Sequence, residues 1–227
     1  MISLKNISKS FGGVKAVDKC TFEVKENTIT SLIGPNGAGK TTVFNIISGL
    51  AKPDSGAIRL MGKNITGIQA YKVAQAGISR TFQITKVFRN LTIKDNLLIA
   101  KKTNEEEMKK VLDSVYLDKP LDTIASELSY GQQRLLELAR ALLMPHSLLM
   151  LDEPTAGVNP KVRQELKTIL KKLRKDGKTV LLIEHDMEFV MDISDNVIVL
   201  NEGKVLREGK PKDIMKDKKV LEAYLGR

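Results

Sequence analysis

Short, nearly uniform apolar runs alternate along the chain with longer stretches in which apolar residues recur every three or four positions. The runs TITSLIG (28–34), LLMLD (148–152), TVLLIE (179–184) and NVIVL (196–200) have the length and β-branched content of buried strands. Helical spacing predicts helices over 40–50, 68–77, about 130–144 and 160–175, and in DMEFVMDI; Gly49, Gly77 and Gly177 are placed as stops. Buried strands separated by helices predict an α/β protein with a mainly parallel sheet. The N-terminus reads differently: residues 2–8 and 20–25 alternate as strands joined through SFGG, and GAIRLMG (56–62) is a strand bounded by glycines. Residues 90–120 differ again. NLTIKDNLLIAKK and TNEEEMKKVLDSVYL are both helical, with Thr92 and Asn104 as candidate N-caps and no strand signal between them. This predicts a helical lobe inserted between strands. A hairpin turn at Asn201-Glu202-Gly203 and a helical tail close the chain.

Composition narrows the classes. The chain has 227 residues, with 42% apolar and 28% charged, ordinary values for a globular protein. It has no Trp and only 4% aromatic residues, which argues against a carbohydrate or single-stranded nucleic acid reader built on stacking. The single Cys20 precludes an internal disulfide and fits a reducing compartment; a small buried strand residue is its expected role. MISLKNISKS lacks the apolar centre of a signal peptide, and the longest near-apolar run, 141–151, is broken by Pro145 and His146 before it could span a bilayer. Much of the net charge of +10 is in helix-like segments such as KKLRKD and KDKK with acidic residues nearby, which favours a solvated Lys-rich surface, with weak attraction to anionic lipid second and nucleic acid as a further alternative.

The chemistry begins at GPNGAGKTT (34–42), which fits G-x-x-x-x-G-K-[ST] between a β-rich run and a helix. Gly34, Gly37 and Gly39 let successive N–H groups turn inward around phosphate oxygens, with Asn36 and Ala38 between them. Lys40 is placed at the β/γ-phosphates, Thr41 as a Mg²⁺ ligand, and Thr42 at the α-phosphate. LLMLDEP puts Asp152 at the carboxyl end of a buried strand, where ligands collect in open α/β sheets; it is the candidate for the Mg²⁺ hydration shell. Glu153, beside it, is the candidate base for an attacking water. Gln83 and His185 also end strand-like runs. A Gln there suits Mg²⁺ or water, and a His suits the γ-phosphate; taken singly, such residues are more often ordinary loop surface than ligands. A second helix start, LSYGQQ (128–133), also reads as an anion seat: Ser129 as N-cap, Gly131 for close approach, and no acidic residue in the first turn.

The order of phosphate loop, Gln83, helical lobe, LSYGQQ, LLMLDEP, AGVNP and His185 resembles the nucleotide-binding subunit of ATP-binding cassette (ABC) transporters over essentially the whole chain. The resemblance implies a P-loop NTPase core with a mainly parallel sheet, an N-terminal antiparallel β-lobe and an inserted helical subdomain. It divides a single domain, 1–227, into 1–83, 84–144 and 145–227. It implies an ATPase using ATP and Mg²⁺, with Gln83, Glu153 and His185 catalytic and Thr41, Gln83 and Asp152 at the metal. Two subunits would pack head to tail, so that Ser129, Gly131 and Gln132 meet the partner's nucleotide. Phe11 resembles the residue that stacks on adenine; a place in the β-lobe core is its alternative. Tyr130 stands where the usual signature has Gly, and Asn159 where the commoner pattern has Asp. The implied partners are integral membrane permease subunits, a second ATPase subunit (the same chain or a sister) and, through the permeases, a substrate-binding protein, all at the cytoplasmic face of the membrane. RTFQ, FRNLTIKDNLL, GQQRLLELARAL, AGVNP, IEHDM and AYLG are similar to the branched-chain amino acid importer group, whose relatives serve urea or export lipopolysaccharide. The chain departs from that group in running from NLLIA through KKTNEEEM directly into the next helix. Nucleic acid is disfavoured as a partner, because soluble relatives that act on it usually carry paired cassettes or long coiled-coil insertions.

Overall fold

The computed structural model describes residues 1–82 and 86–225. In chain order the elements are β1 (Ile2–Phe11), β2 (Val14–Val24), β3 (Ile29–Ile33), α1 (Lys40–Ile47), β4 (Ser55–Leu60), β5 (Lys63–Asn64), α2 (Ala70–Gln75), β6 (Ile78–Arg80), α3 (Ile93–Ala100), α4 (Glu105–Ser114), a 3₁₀ turn (Ala125–Glu127), α5 (Tyr130–Leu143), β7 (Leu148–Asp152), α6 (Pro160–Lys175), β8 (Thr179–Ile183), α7 (Met187–Ile193), β9 (Asn196–Asn201), β10 (Lys204–Gly209), α8 (Pro211–Ile214) and α9 (Lys218–Leu225).

The larger sheet has the order β10-β9-β3-β8-β7-β6. Its pairs from β9 through β6 are parallel, and β10 returns antiparallel to β9. Every residue of β3, β7 and β8 is buried, as continuous apolar runs require when both faces are covered. The period of two splits each strand between two cores. Leu149, Leu151, Val180 and Leu182 face α5 and α6, while Leu148, Met150, Leu181 and Ile183 face α1 and the second sheet. That second sheet, β2-β1-β4-β5, is antiparallel; Ile2, Leu4, Phe22 and Ile58 pack with Val43, Phe44 and Ile47 of α1. The helix that opens at the phosphate loop is therefore held between two sheets.

Between β6 and β7 the chain is helical. Thr92 caps α3 in a reciprocal box with Asp95, and the Asn104 side chain accepts the Glu107 N–H at 2.9 Å to cap α4. The N-terminal hairpin is longer than the alternating pattern predicts, running to Phe11 and starting again at Val14. Register shifts along β1 and left-handed backbone at Asn6 and Lys19 break the alternation in mid-strand, so the apolar pattern fades where pairing continues. Of the run ISRTFQ, read as a strand to Gln83, Ile78–Arg80 pair with β7 among the described residues.

Candidate functional site

The carboxyl ends of β3, β8 and β7 lie side by side, and the candidate residues follow directly from them. From β3 the chain turns through 34–39 into α1. Two of the loop glycines are required by close backbone approach: a Cβ on Gly34 would lie 2.1 Å from the Leu200 carbonyl oxygen, and one on Gly39 would lie 2.4 Å from that of Ala16. Gly39 is the N-cap of α1 at φ 98°, with no side-chain cap and no acidic residue in the first turn. The first N–H groups of α1 thus have no side-chain acceptor and carry the positive end of the helix dipole, which is what a phosphate fits. The Lys40 ammonium is buried and folds back to donate to the carbonyls of Gly34 (2.8 Å) and Pro35 (2.9 Å). Burial lowers its pKa, while the nearby Glu153 and Asp152 carboxylates oppose that shift. A cleft of about 290 Å³ is bounded by Ala16, residues 36–42, Glu153 and His185. Thr41 is exposed in it and Thr42 half-buried.

Asp152 ends β7 and is buried. Its carboxylate accepts from Arg80 Nη2 at 2.8 Å, and Arg80 Nη1 also donates to Asn45 Oδ1 on α1 and to Oγ of Ser48, the C-cap of α1. Burial raises the Asp152 pKa against the opposing pull of Arg80. Arg80 thus locks the strand-end acid to the phosphate-loop helix; a lone Arg within a strand gives no sequence signal of this. Glu153 has left-handed backbone, φ 49°, a conformation that costs a non-glycine residue about 1 kcal/mol or more. Its N–H donates to the Ile183 carbonyl at 3.0 Å, and its Oε1 lies 2.8 Å from His185 Nε2. Glu184, which the sequence placed only as the end of a strand, is buried and accepts from the Thr155 N–H (2.9 Å) and hydroxyl (2.7 Å), stapling the loop after Glu153 to β8. Burial raises its pKa.

The start of α5 is arranged otherwise. Ser129 and Gln132 satisfy each other: the Gln132 N–H donates to Ser129 Oγ at 3.3 Å, and the Ser129 N–H to Gln132 Oε1 at 3.0 Å. Gly131 is buried against α6, where an added Cβ would lie 2.8 Å from Val162 Cγ2. The Tyr130 ring turns to its own chain, against Gly157 and Arg134. None of Ser129, Gly131 and Gln132 lines the cleft at the phosphate loop. The fold thus brings the loop, Glu153 and His185 together and holds the second helix start apart from them. Phe11 ends β1 with 52% exposure and lies outside the β-lobe core, while Cys20 is buried in β2. Asn159 caps α6, its side chain accepting the Val162 N–H at 3.0 Å, a local role that Asp at the same place could also fill. Gln83 lies outside the described residues. Among the described residues no helix is long and apolar enough to cross a membrane.

The sequence pattern of the ABC transporter family matches residues 17–156. The chain is 41% identical to the high-affinity branched-chain amino acid transport ATP-binding protein BraF of Pseudomonas aeruginosa, over all of this chain and 98% of that one. It is 40% identical to LivG of Escherichia coli, which carries the same description, again over all of this chain and 98% of that one. Among solved structures, a nucleotide-free ATP-binding cassette of an ABC transporter superposes with a TM-score of 0.92 at 32% identity, covering 100% of this chain and 99% of that one. A dimeric cassette in a post-hydrolysis state bound to ADP and Pi superposes with a TM-score of 0.82 at 27% identity, covering 93% and 99%.

Proposed function

Because the chain belongs to the ABC transporter family, we propose that it is the ATP-hydrolysing subunit of an importer for branched-chain amino acids, working in a head-to-tail pair beneath membrane permeases at the cytoplasmic face. The observation that carries the reading is the Glu153–His185 pair at 2.8 Å, facing an uncapped helix start across one cleft. ATP is the substrate. Its phosphates suit the N–H groups of 37–42 and the Lys40 ammonium, which exchanges carbonyl acceptors for charged oxygens. Thr41 and Asp152, with Gln83, offer hydroxyl, carboxylate and amide oxygens, a donor set fit for Mg²⁺ that keeps waters and shares phosphates. When bound, Mg²⁺ supplies charge neutralisation at those phosphates. Glu153 takes the proton of the attacking water, and His185 holds the Glu153 carboxylate in place and can donate toward the γ-phosphate.

The second helix start gives the pair its logic. Ser129, Gly131 and Gln132 cannot serve their own cleft, so they are assigned to the partner's nucleotide; ATP then bridges two positive helix ends, and hydrolysis removes the bridge. The dimeric ADP- and Pi-bound relative supports this arrangement. The test is Glu153→Gln. Turnover is expected to fall about 100- to 1,000-fold, and gel filtration with light scattering should then show an ATP-dependent dimer. Wild-type turnover in the variant, or a monomer at saturating ATP with any sister subunit supplied, would overturn the reading. ATP-driven leucine uptake by vesicles carrying the chain with its permeases tests the substrate.

A further inference from the structure

Tyr130 and Arg134 stand four residues apart on one face of α5 and lead from the helix start to the hydrolytic centre. The Arg134 side chain is almost fully buried, at 3% exposure. Its Nη1 donates to the Phe82 carbonyl at 2.7 Å and to Glu137 Oε2 at 3.1 Å, and its Nη2 reaches the Glu153 carbonyl at 3.4 Å. Glu137 Oε1 in turn accepts the N–H groups of Phe82 (3.4 Å) and Lys86 (3.3 Å). One guanidinium therefore holds both the backbone leading into Gln83 and the backbone of Glu153. A planar guanidinium with five donors can serve three acceptors at once; a lysine ammonium on a flexible stem cannot reproduce that fork.

Tyr130 covers this group from outside. Its ring centroid is 5.7 Å from the guanidinium carbon of Arg134. On the loop after Glu153, a Cβ added to Gly157 would lie 3.1 Å from Tyr130 Cε1. Tyr130 is 44% exposed, so core burial is not the reason for a large aromatic here. We propose that Tyr130 and Arg134 are positioning residues for hydrolysis: Tyr130 braces Arg134 and the loop 154–159, and Arg134 holds the Glu153 backbone in register with Phe82. The left-handed backbone of Glu153 makes this necessary. Its φ of 49° aims the carboxylate at His185, and such a conformation persists only where its surroundings over-determine it. Arg134 contacts the Glu153 carbonyl, so it acts on the direction of Glu153 through the backbone.

The inference rests on Glu153 being the water-activating base. Steady-state ATP hydrolysis by the full chain tests it, with thermal melts to count folded protein. Arg134→Lys should lower kcat roughly 10- to 100-fold with KM for ATP unchanged within about twofold, as small misplacements of a reacting group do. Tyr130→Gly, at an exposed position that does not threaten folding, should lower kcat about 3- to 10-fold. Tyr130→Phe should restore wild-type turnover, because the ring and not the hydroxyl does the bracing. The double variant Tyr130→Gly with Arg134→Lys should lose less than the product of the two single losses, since Tyr130 acts in part through Arg134 and in part through the loop. Unchanged kcat per folded molecule in Tyr130→Gly and Arg134→Lys, a change confined to KM, or a loss in Tyr130→Phe equal to that in Tyr130→Gly would overturn the proposal. Hydrolysis that is lost in Glu153→Gln but indifferent to Arg134→Lys overturns this proposal alone; absence of hydrolysis in the wild type overturns the reading of Glu153 as well.

Discussion

Two helices in this chain begin in glycine-containing turns without an acidic residue in the first turn, and they are finished in opposite ways. At α1 the N-cap is Gly39 in left-handed conformation, with no side-chain cap. At α5 the N-cap is Ser129, and a reciprocal Ser129–Gln132 box closes the turn. The difference lies in what each start lacks. The first has orphan N–H groups and a buried ammonium resting on neutral carbonyls. An anion there replaces weak acceptors with strong ones and needs no rearrangement of a cap. The second already satisfies itself through two hydrogen bonds of 3.0 and 3.3 Å, so an anion must compete with its own side chains. On the proposed reading, one chain binds nucleotide at the first seat alone, while the second adds affinity only when a partner presents a phosphate to it. That asymmetry lets ATP binding precede dimer closure.

The sharpest way to break this contrast is at the first seat. Lys40→Ala removes the one side-chain charge that faces the phosphates from α1. Two lost charge-assisted hydrogen bonds correspond to roughly a 100-fold or greater weakening of ATP binding. Calorimetric titration of monomeric protein should show that loss, with little change in melting temperature, because burial already disfavours the charged ammonium. Retained ATP affinity would mean that the two helix starts do not differ as described.

Gly131 offers a test of intermediate size. From sequence it reads as the glycine that lets a phosphate approach; in the structure its missing Cβ admits Val162 of α6. Gly131→Ala should cost about 1–3 kcal/mol as an overpacked contact, since a β-branched side chain in a helix has little freedom to give way. Adding Val162→Ala should recover the melting temperature. If ATP-dependent dimerisation, measured in the Glu153→Gln background, recovers as well, packing explains this glycine. If stability returns and dimerisation does not, close approach to the partner's nucleotide is a second and separate demand on it.

The contrast between the two seats also marks what the sequence could reveal. Strands buried on both faces announce themselves as apolar runs, and α6 spans Pro160–Lys175 ahead of Gly177 as its pattern predicts. The phosphate-loop motif stands out in the sequence because it is local: every residue of the pattern lies within the nine residues GPNGAGKTT. Arg80, Arg134 and Glu184 do not, because their partners are far along the chain. Arg80 meets Asp152 only through the pairing of β6 with β7, and Glu184 meets Thr155 only through the pairing of β7 with β8. Arg134 and Glu137 sit in a helix that is buried on nearly every side, where apolar periodicity places the leucines but is silent on charged residues between them. Their one local signal was a pair of opposite charges three residues apart in an apolar helix.

The smallest expected effect separates the two uses of Ser129. Its hydroxyl caps α5 in the single chain and is assigned to the partner's nucleotide in the pair. Ser129→Ala removes a cap worth about 1 kcal/mol, which for a chain of this size lowers the melting temperature by roughly 2–4 °C. If the cap must be surrendered when a phosphate arrives, the two uses compete and the hydroxyl gains little on dimerisation; the apparent dimer affinity of Ser129→Ala in the Glu153→Gln background should then fall only about threefold, about 0.7 kcal/mol on the tenfold-per-1.4 scale. A loss of tenfold or more at unchanged melting temperature would show that the hydroxyl serves the nucleotide and not the helix. The second seat would then resemble the first, an end left open for an anion, and the ordered sequence of binding followed by closure would lose its structural basis.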